Sequence, residues 1–492
     1  MNQDFYLALP IFFPIAAGCL TFTAGKWMPV RKNRMILYAA FLLIELALTY
    51  GAFFGDRSLV LWELSDQLVI SFHVDDVSRL FAGLSTFAWL MAGIFALEYL
   101  EHDAHMDRFY GFYLIVEGAL VALAFADNLV AYYIFFELMT LTSLPLVLHE
   151  MTHKAIMAGL KYLFYSIAGA FMALFGVFFL AQFGGIGSFA AGGILDMAAV
   201  SSNQGLLYAA AFLMILGFGT KAGMFPMHGW LPTAHPEAPA PASAVLSGVI
   251  TKMGVLAILR IVYFVFGPNL LRGTWVQTAW LTLSLITVFM GSMLAYREKV
   301  MKKRFAYSTV SQVSYILFGL ACMNQTAFLG ALLHVVFHSM VKTTLFMSSG
   351  AIIHQTGKTM IADLKAIGKE MPVVIWCVTL VSITLVGIPP TSGFVSKWYL
   401  ATGALSANLG LFGWLGPVIL LVSALLTAGY LLPITIHGFF PGDDFDYSRL
   451  EKKEPGLRML IPLLIMTALA VGFGMFPGAL TGLIESIAVN VF

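Results

Sequence analysis

Charge is what this sequence has least of. Charged residues make up 11% of its 492 residues, less than half of the roughly 25% usual in soluble domains. A water-soluble protein of this length could not cover its surface with so few, so a soluble enzyme, a nucleic-acid binder and a disordered scaffold are excluded. Cysteine is almost absent: Cys19, Cys322 and Cys377 lie far apart in apolar stretches. They cannot supply the four thiolates of an iron–sulfur cluster, and no spacing suggests zinc. No flavin, quinone or metal motif is present, so neither a cofactor nor a metal is expected in this chain. No basic segment or small-residue cleavage site accompanies the first apolar run near Phe5, which is expected to be a retained helix. The net charge of +1 implies no bulk electrostatic partner.

What is present in quantity is hydrophobic sequence, 60% of the chain. About 20 apolar residues cross a bilayer core, and fourteen candidate spans follow, at 5–24, 34–54, 76–98, 109–126, 128–149, 158–183, 205–225, 241–267, 276–296, 307–322, 327–353, 372–400, 410–436 and 458–476. The apolar stretch 478–490 could add one more. The expected fold is an all-α polytopic membrane protein. Nineteen of the 27 Lys and Arg residues fall in odd-numbered loops, against Arg57, Arg79 and Arg272 in even ones. Basic residues favour the cytoplasmic side, so both termini are expected on the outer side of the cell membrane. Alternation from Leu59 to Val74 suits a β-hairpin on the outer face. The acidic residues of that loop, Asp56, Glu63, Asp66, Asp75 and Asp76, either collect cations at an outer mouth or are simply solvated. The polar loop from Gly438 to Glu454 suits a connector or docking surface.

The remaining basic residues, Lys221, Lys252, Arg260, Lys342 and Lys397, lie inside spans. Each costs at least about 2.5–3.5 kcal/mol at a helix centre. Arg260 is close enough to a helix end to snorkel; the lysines are not. Glu137 sits within the fifth span, and Glu45 and Glu117 lie inside others. Helix-gluing ion pairs would explain any one of these, but four lysines cannot all pair with one central glutamate. Lysine, unlike arginine, can exist neutral when buried and be recharged by a neighbour, which is what a proton relay requires. Lys221 precedes Pro226, and Lys397 follows Pro389 and Pro390, so both flank Gly/Pro-interrupted spans of the kind found in inverted-repeat transporters. His334, His338 and Lys342 recur at i, i+4 and i+8 on one helix face. A two-histidine metal site would lack a carboxylate, which favours a hydrated relay. His228 and His235, in the proline-rich loop PMHGWLPTAHPEAPAPAS, either gate the path or serve as rigid loop residues.

Four segments, FFELM, KAGMFPMHGWLPTAHPEAPAPASAVLSGVITKMG, HVVFHSMVKTTLF and GIPPTSGFVSKWYL, resemble one family. It comprises the antiporter-like subunits of respiratory complex I, group 4 membrane-bound hydrogenases and Mrp-type cation/proton antiporters. The resemblance implies two inverted five-helix repeats, at 109–267 and 268–437, preceded by helices and a hairpin at 1–108 and followed by a loop and last helix at 438–492. It assigns Glu137 and Lys221 as a coupled pair, Lys252 as the central lysine, His334, His338 and Lys342 as a relay and Lys397 as its terminus. Lysine at that last position argues against the one complex I paralogue with glutamate there, and no room remains for a long lateral helix. The proline-rich loop is most similar to the hydrogenase and Mrp D-type branch.

The expected function is proton translocation within a larger membrane complex. The partners would be antiporter-like paralogues, small membrane subunits and a peripheral hydrogenase or NADH-oxidising arm. The alternative is a D-type subunit of an Mrp-type Na⁺/H⁺ antiporter without redox chemistry. A quinone-reducing or purely structural subunit would instead make the lysines dispensable.

Overall fold

The computed structural model describes residues 4–65, 68–183, 186–196, 198, 201–442, 445–446, 448 and 450–492; Asp66 and Arg449 lie outside them. The longer helices are α1 Ala8–Thr21, α2 Arg31–Gly51, α3 Asp76–Tyr99, α4 Met106–Phe125, α5 Leu129–Val147, α6 His153–Phe183 and α7 Gln204–Ala222. They continue as α8 Leu231–Glu237, α9 Ala240–Phe266, α10 Trp275–Arg297, α11 Met301–Ala321 and α12 Gln325–Thr356. The last are α13 Pro372–Val386, α14 Ser392–Ser406, α15 Leu411–Phe439, α16 Leu457–Met475 and α17 Gly478–Val491. The hairpin forms as read: β1 Ser58–Ser65 pairs antiparallel with β2 Leu68–His73, with Ser58 opposite His73.

Apolar runs set the helices and short polar side chains start several of them. Asp75, Asn128 and Asn324 accept from the backbone N–H three residues on, at 2.7, 2.8 and 2.9 Å, capping α3, α5 and α12. Packing then sorts the helices by depth. Every residue of α9, and every residue of α12 from Ala327 to Ile352, is buried. α2 instead buries one stripe, Met35, Tyr38, Leu42, Glu45 and Thr49, with apolar residues such as Ile36, Leu43 and Ile44 facing outward. A helix apolar on its outer face requires a non-aqueous surrounding, which a bilayer supplies.

Each of the fourteen expected stretches carries helix, yet among the described residues eleven helices are long and apolar enough to cross a membrane. The shortfall has three local causes. Phe5–Thr21 is short. The stretch 372–400 divides into α13 and α14 around Gly387 to Thr391. α11 begins at Met301 rather than near 307, so Lys302, Lys303 and Arg304 belong to its first turn.

Three charged groups differ from the sequence reading. Arg260 does not snorkel. It is 3% exposed and makes a bidentate pair with Asp75, at 2.6 and 2.7 Å, with Ser78 Oγ at 3.1 Å. Lys302 and Arg304, read as loop cations, are buried. Lys302 donates to the carbonyls of Pro236 and Ala238, and Arg304 to those of Glu298 and Tyr430. Three acids of the loop between α2 and α3 have partners: Asp56 with His73, Asp75 with Arg260 and Asp76 with Arg79.

Candidate functional site

The two interrupted helices end alike. α7 stops at Gly223 and α13 at Gly387, both left-handed, with φ +82° and +90°. Each end leaves carbonyls without a helical partner, and the two ends use them differently. At the first, the indole of Trp230 donates to Thr220 O at 2.8 Å, closing the break. At the second, Lys397 reaches back from α14 and donates to Leu385 O at 2.6 Å and Val386 O at 3.0 Å. Its ammonium thus sits at the negative end of a half-helix, 5.2 Å from the Tyr315 ring centroid. A Cβ at Gly387 would stand 3.0 Å from Lys397 Cδ and would have to adopt the positive φ as well. Gly387→Ala is therefore expected to cost about 1–3 kcal/mol and to dislodge Lys397, read as a lower thermal midpoint of the purified protein.

Lys221, the last cation of α7, is wholly enclosed. It donates to Tyr162 Oη at 2.8 Å and Ser166 Oγ at 3.2 Å, and lies 4.4, 5.7 and 5.9 Å from the ring centroids of Tyr162, Phe136 and Trp230. Tyr162 Oη also hydrogen bonds Ser143 Oγ at 2.7 Å. The expected partner, Glu137, is close enough to feel the lysine's charge. Among the described residues, however, Lys221 makes no ion pair, and Glu137 Oε1 is buried without a hydrogen-bond partner. The pair is electrostatic and not in contact.

Lys252 is positioned by an irregularity of α9. Residues Leu246–Ile250 form a π turn, a local widening often found at functional sites. Lys252 Nζ donates to Ser247 O in that turn at 2.6 Å and lies 3.4 Å from Thr251 Oγ1. The turn packs on α12, where Ser339 Oγ donates to Gly248 O at 2.6 Å. From Ser247 a bonded connection runs onward. Ser247 Oγ bonds Thr309 Oγ1 at 2.7 Å, and Thr309 donates to Phe305 O at 2.9 Å. Lys342 Nζ donates to that same carbonyl at 3.2 Å and to Ser308 Oγ at 2.6 Å. Lys342 and the serine that holds Lys252 are thereby anchored on the same turns of α11.

The histidines complete this file. The rings of His334 and His338 stack 5.9 Å apart, and Tyr315 stacks on His334 at 5.5 Å. His334 Nδ1 bonds Ser396 Oγ at 3.0 Å, one residue before Lys397. His338 lies within electrostatic reach of Lys252, Lys342 and Lys397. Both of its ring nitrogens, His334 Nε2 and both polar atoms of the Gln312 amide are buried without a protein partner. Polar atoms so placed need water or a transient proton donor.

The structure brings together Lys252, His334, His338, Lys342 and Lys397. Glu137 and Lys221 form a second cluster. No side-chain hydrogen bond among the described residues bridges the two, although a Cβ at Gly254 on α9 would sit 3.1 Å from Lys221 Cβ. The loop histidines separate. His235 is fully buried, stacks on Phe346 at 4.7 Å and feels Lys252, Lys302 and Lys342. His228 lies away from that file, stacked on Phe225 and feeling Lys161. Next to His235, a cavity of about 260 Å³ is lined by Glu150, Pro236, Glu237 and Lys302 among others. The hydroxyl groups Tyr162, Ser166, Ser247, Ser308, Thr309 and Ser396 were not singled out from sequence.

A helical membrane protein with a file of enclosed amines, set at helix breaks and held by carbonyls and hydroxyls, is of the antiporter-like class. Comparison with known proteins narrows this. The family model described as NADH:quinone oxidoreductase/Mrp antiporter, TM, matches residues 126–437, and that of NADH-Ubiquinone oxidoreductase (complex I), chain 5 N-terminus, matches residues 64–110. The chain belongs to the NADH:quinone oxidoreductase/Mrp antiporter family. It is 32% identical over 417 residues to NADH-quinone oxidoreductase subunit N of Desulforudis audaxviator, with 80% of this chain and 79% of that one covered. It is 26% identical to F(420)H(2) dehydrogenase subunit N of Methanosarcina mazei, with 97% of each covered. A chain of the membrane-bound sulfane sulfur reductase, an archaeal respiratory membrane complex, superposes with a TM-score of 0.85 over 99% of this chain and 97% of that one, at 21% identity. That last likeness is one of fold.

Proposed function

We propose that this chain translocates protons as the antiporter-like subunit of a multi-subunit membrane oxidoreductase. In this reading Glu137 and Lys221 form the coupling pair, and the proton passes by Lys252, Lys342, His338 and His334 to Lys397. The observation that carries the reading is that the buried amines of Lys252, Lys342 and Lys397 all donate to carbonyl and hydroxyl oxygens and to no carboxylate among the described residues. Ion pairs that merely glued helices would hold carboxylates against the amines. These amines rest on neutral oxygens, which accept an ammonium yet do not lock it charged. Unpartnered nitrogens at His334 and His338 supply water-bridged relay positions. The cavity at His235 suits a proton access route from the cytoplasmic side, with His228 left as a loop residue.

Residues 109–267 and 268–437 would be the two inverted repeats, each with one interrupted helix and its lysine. Both termini would lie on the outer side, as the basic loops suggest. The relatives named above are subunits, which supports partners in the same membrane and a peripheral electron-donating arm. The redox chemistry would belong to those partners and no cofactor to this chain.

The test is proton uptake by proteoliposomes holding the intact complex. Lys252→Ala and Lys342→Ala should each lower it at least roughly tenfold, and wild-type uptake in either would end the relay reading. The family's range supports one rival, a subunit of an Mrp-type Na⁺/H⁺ antiporter. Proton movement driven by an imposed Na⁺ or pH gradient, with no electron donor, would select that rival.

A further inference from the structure

Two buried acids take no part in the lysine file. Glu45 on α2 is 0% exposed and Glu117 on α4 is 1% exposed. Their placement follows from register. Arg34 Nε donates to Asp107 Oδ1 at 3.0 Å and Tyr38 Oη to the same oxygen at 2.8 Å, while the rings of Tyr38 and Tyr110 stack at 4.7 Å. α2 and α4 therefore run side by side in the same direction. Glu45 lies seven residues beyond Tyr38, and Glu117 seven beyond Tyr110. Seven residues are two helical turns, about 10 Å, and return to the same face. The two carboxyl groups are thus brought level in one interface, and each belongs to the buried stripe of its helix.

Among the described residues, no cation neutralises them. Glu45 Oε1 accepts from Thr49 Oγ1 at 2.9 Å, whereas Glu45 Oε2 and both oxygens of Glu117 are buried without a partner. The one charge that Glu117 feels is that of Glu45. The remaining titratable groups of the interface are committed: Tyr110 Oη to Gly93 O at 2.7 Å, Tyr113 Oη to Trp89 O at 2.7 Å, and Arg34 and Tyr38 to Asp107. α1 carries no charged residue, and α3 meets the same interface with Trp89, which donates to Tyr113 O, and Gly93, beside Leu42 and Tyr113. Two carboxylates in such surroundings cannot both be ionised.

We propose that Glu45 and Glu117 form a carboxyl pair that holds one exchangeable proton, a protonation site separate from the lysine file. A proton suits the pair better than a metal ion does. Hard cations take about six oxygen ligands, and among the described residues the oxygen bonded to the pair is the Thr49 hydroxyl. The partly exposed Asp107, joined to Tyr38, marks the end of the interface from which the proton would exchange.

The experiment is infrared difference spectroscopy on the intact complex at neutral pH, reading the carbonyl stretch of a protonated carboxyl group and its shift in D₂O. The expected wild-type band is lost in Glu117→Gln, shifted in Glu45→Gln and absent from the double variant. Thr49→Val, which keeps both acids but removes the hydroxyl that Glu45 accepts from, should shift it, and serves where the glutamine variants do not assemble. A spectrum unchanged across these variants would overturn the pair. Loss of the wild-type band on adding NaCl, but not KCl, would replace the proton by a sodium ion and overturn it equally. Because the readout is protonation and not transport, it stands apart from the fate of the lysine relay.

Discussion

Lys221→Ala should abolish proton translocation, with a fall of roughly 100-fold or more, while leaving the protein close to wild-type stability. The combination is informative because the bland role for this lysine predicts the opposite. A lysine in contact with a buried carboxylate leaves an uncompensated charge when removed, at about 3–5 kcal/mol. Lys221 instead donates to Tyr162 and Ser166, two neutral hydroxyls that can turn to each other or to water. Glu137 makes no direct bond to the lysine, so no contact between them is broken when the lysine is gone. Glu137→Gln should match the transport loss, since it removes the charge that the lysine feels across the gap. Tyr162→Phe should be milder, several-fold, because Ser166 still holds the ammonium. Proton uptake by reconstituted complex and thermal unfolding in detergent, measured on the same preparations, check both halves. A destabilised Lys221→Ala protein with proportionate transport would assign the lysine a structural role.

Arg260→Met should be the most destabilising single substitution of a charged residue, by about 3–5 kcal/mol. The guanidinium is enclosed, makes both bidentate bonds to Asp75, and lies 4.7 Å from the Phe264 ring centroid. Asp75 is also the N-cap of α3, accepting from Ser78 N. Loss of the arginine therefore leaves a carboxylate that must still hold a helix start. The double variant Arg260→Met/Asp75→Asn should recover much of the stability, because asparagine caps as well as aspartate without needing a counter-charge. Thermal midpoints of the three proteins decide the matter. Additive losses would show that the two residues act independently.

Of these two sites, the first was legible in the sequence and the second was not. Glu137, the four lysines and the histidine face stood out because charge in an apolar run is costly, and a costly residue must be used. The interrupted helices were readable from Gly387, Pro389 and Pro390, and from the Pro226 region. The fold class followed from composition, but the number of full-length spans did not. Three basic residues at the start of α11 look like loop cations until the structure shows Lys302 capping the carbonyls that end α8. The partner of Arg260 lies 185 positions away, and no local pattern announces it. The hydroxyl shell was invisible for a different reason. Serine, threonine and tyrosine are tolerated throughout membrane helices, so Ser247, Ser308 and Tyr162 carry no mark until a lysine is seen to rest on them. The π turn at Leu246–Ile250 is likewise a product of packing between α9 and α12, not of propensity.

The way these amines are held also bears on how the protein can change. Lys252 rests on Ser247 O, Lys342 on Phe305 O as well as the neutral Ser308 hydroxyl, and Lys397 on Leu385 O and Val386 O. Main-chain oxygens are not encoded by any codon. A genetic screen for suppressors of a lysine-to-glutamate change should therefore find no charge-reversed partner at these three positions. At Lys221, which feels the carboxylate of Glu137 across a gap, the reciprocal exchange with Glu137 is open to selection. Compensatory drift in this chain is thus confined to one end of the file, and the other end is held by the backbone itself.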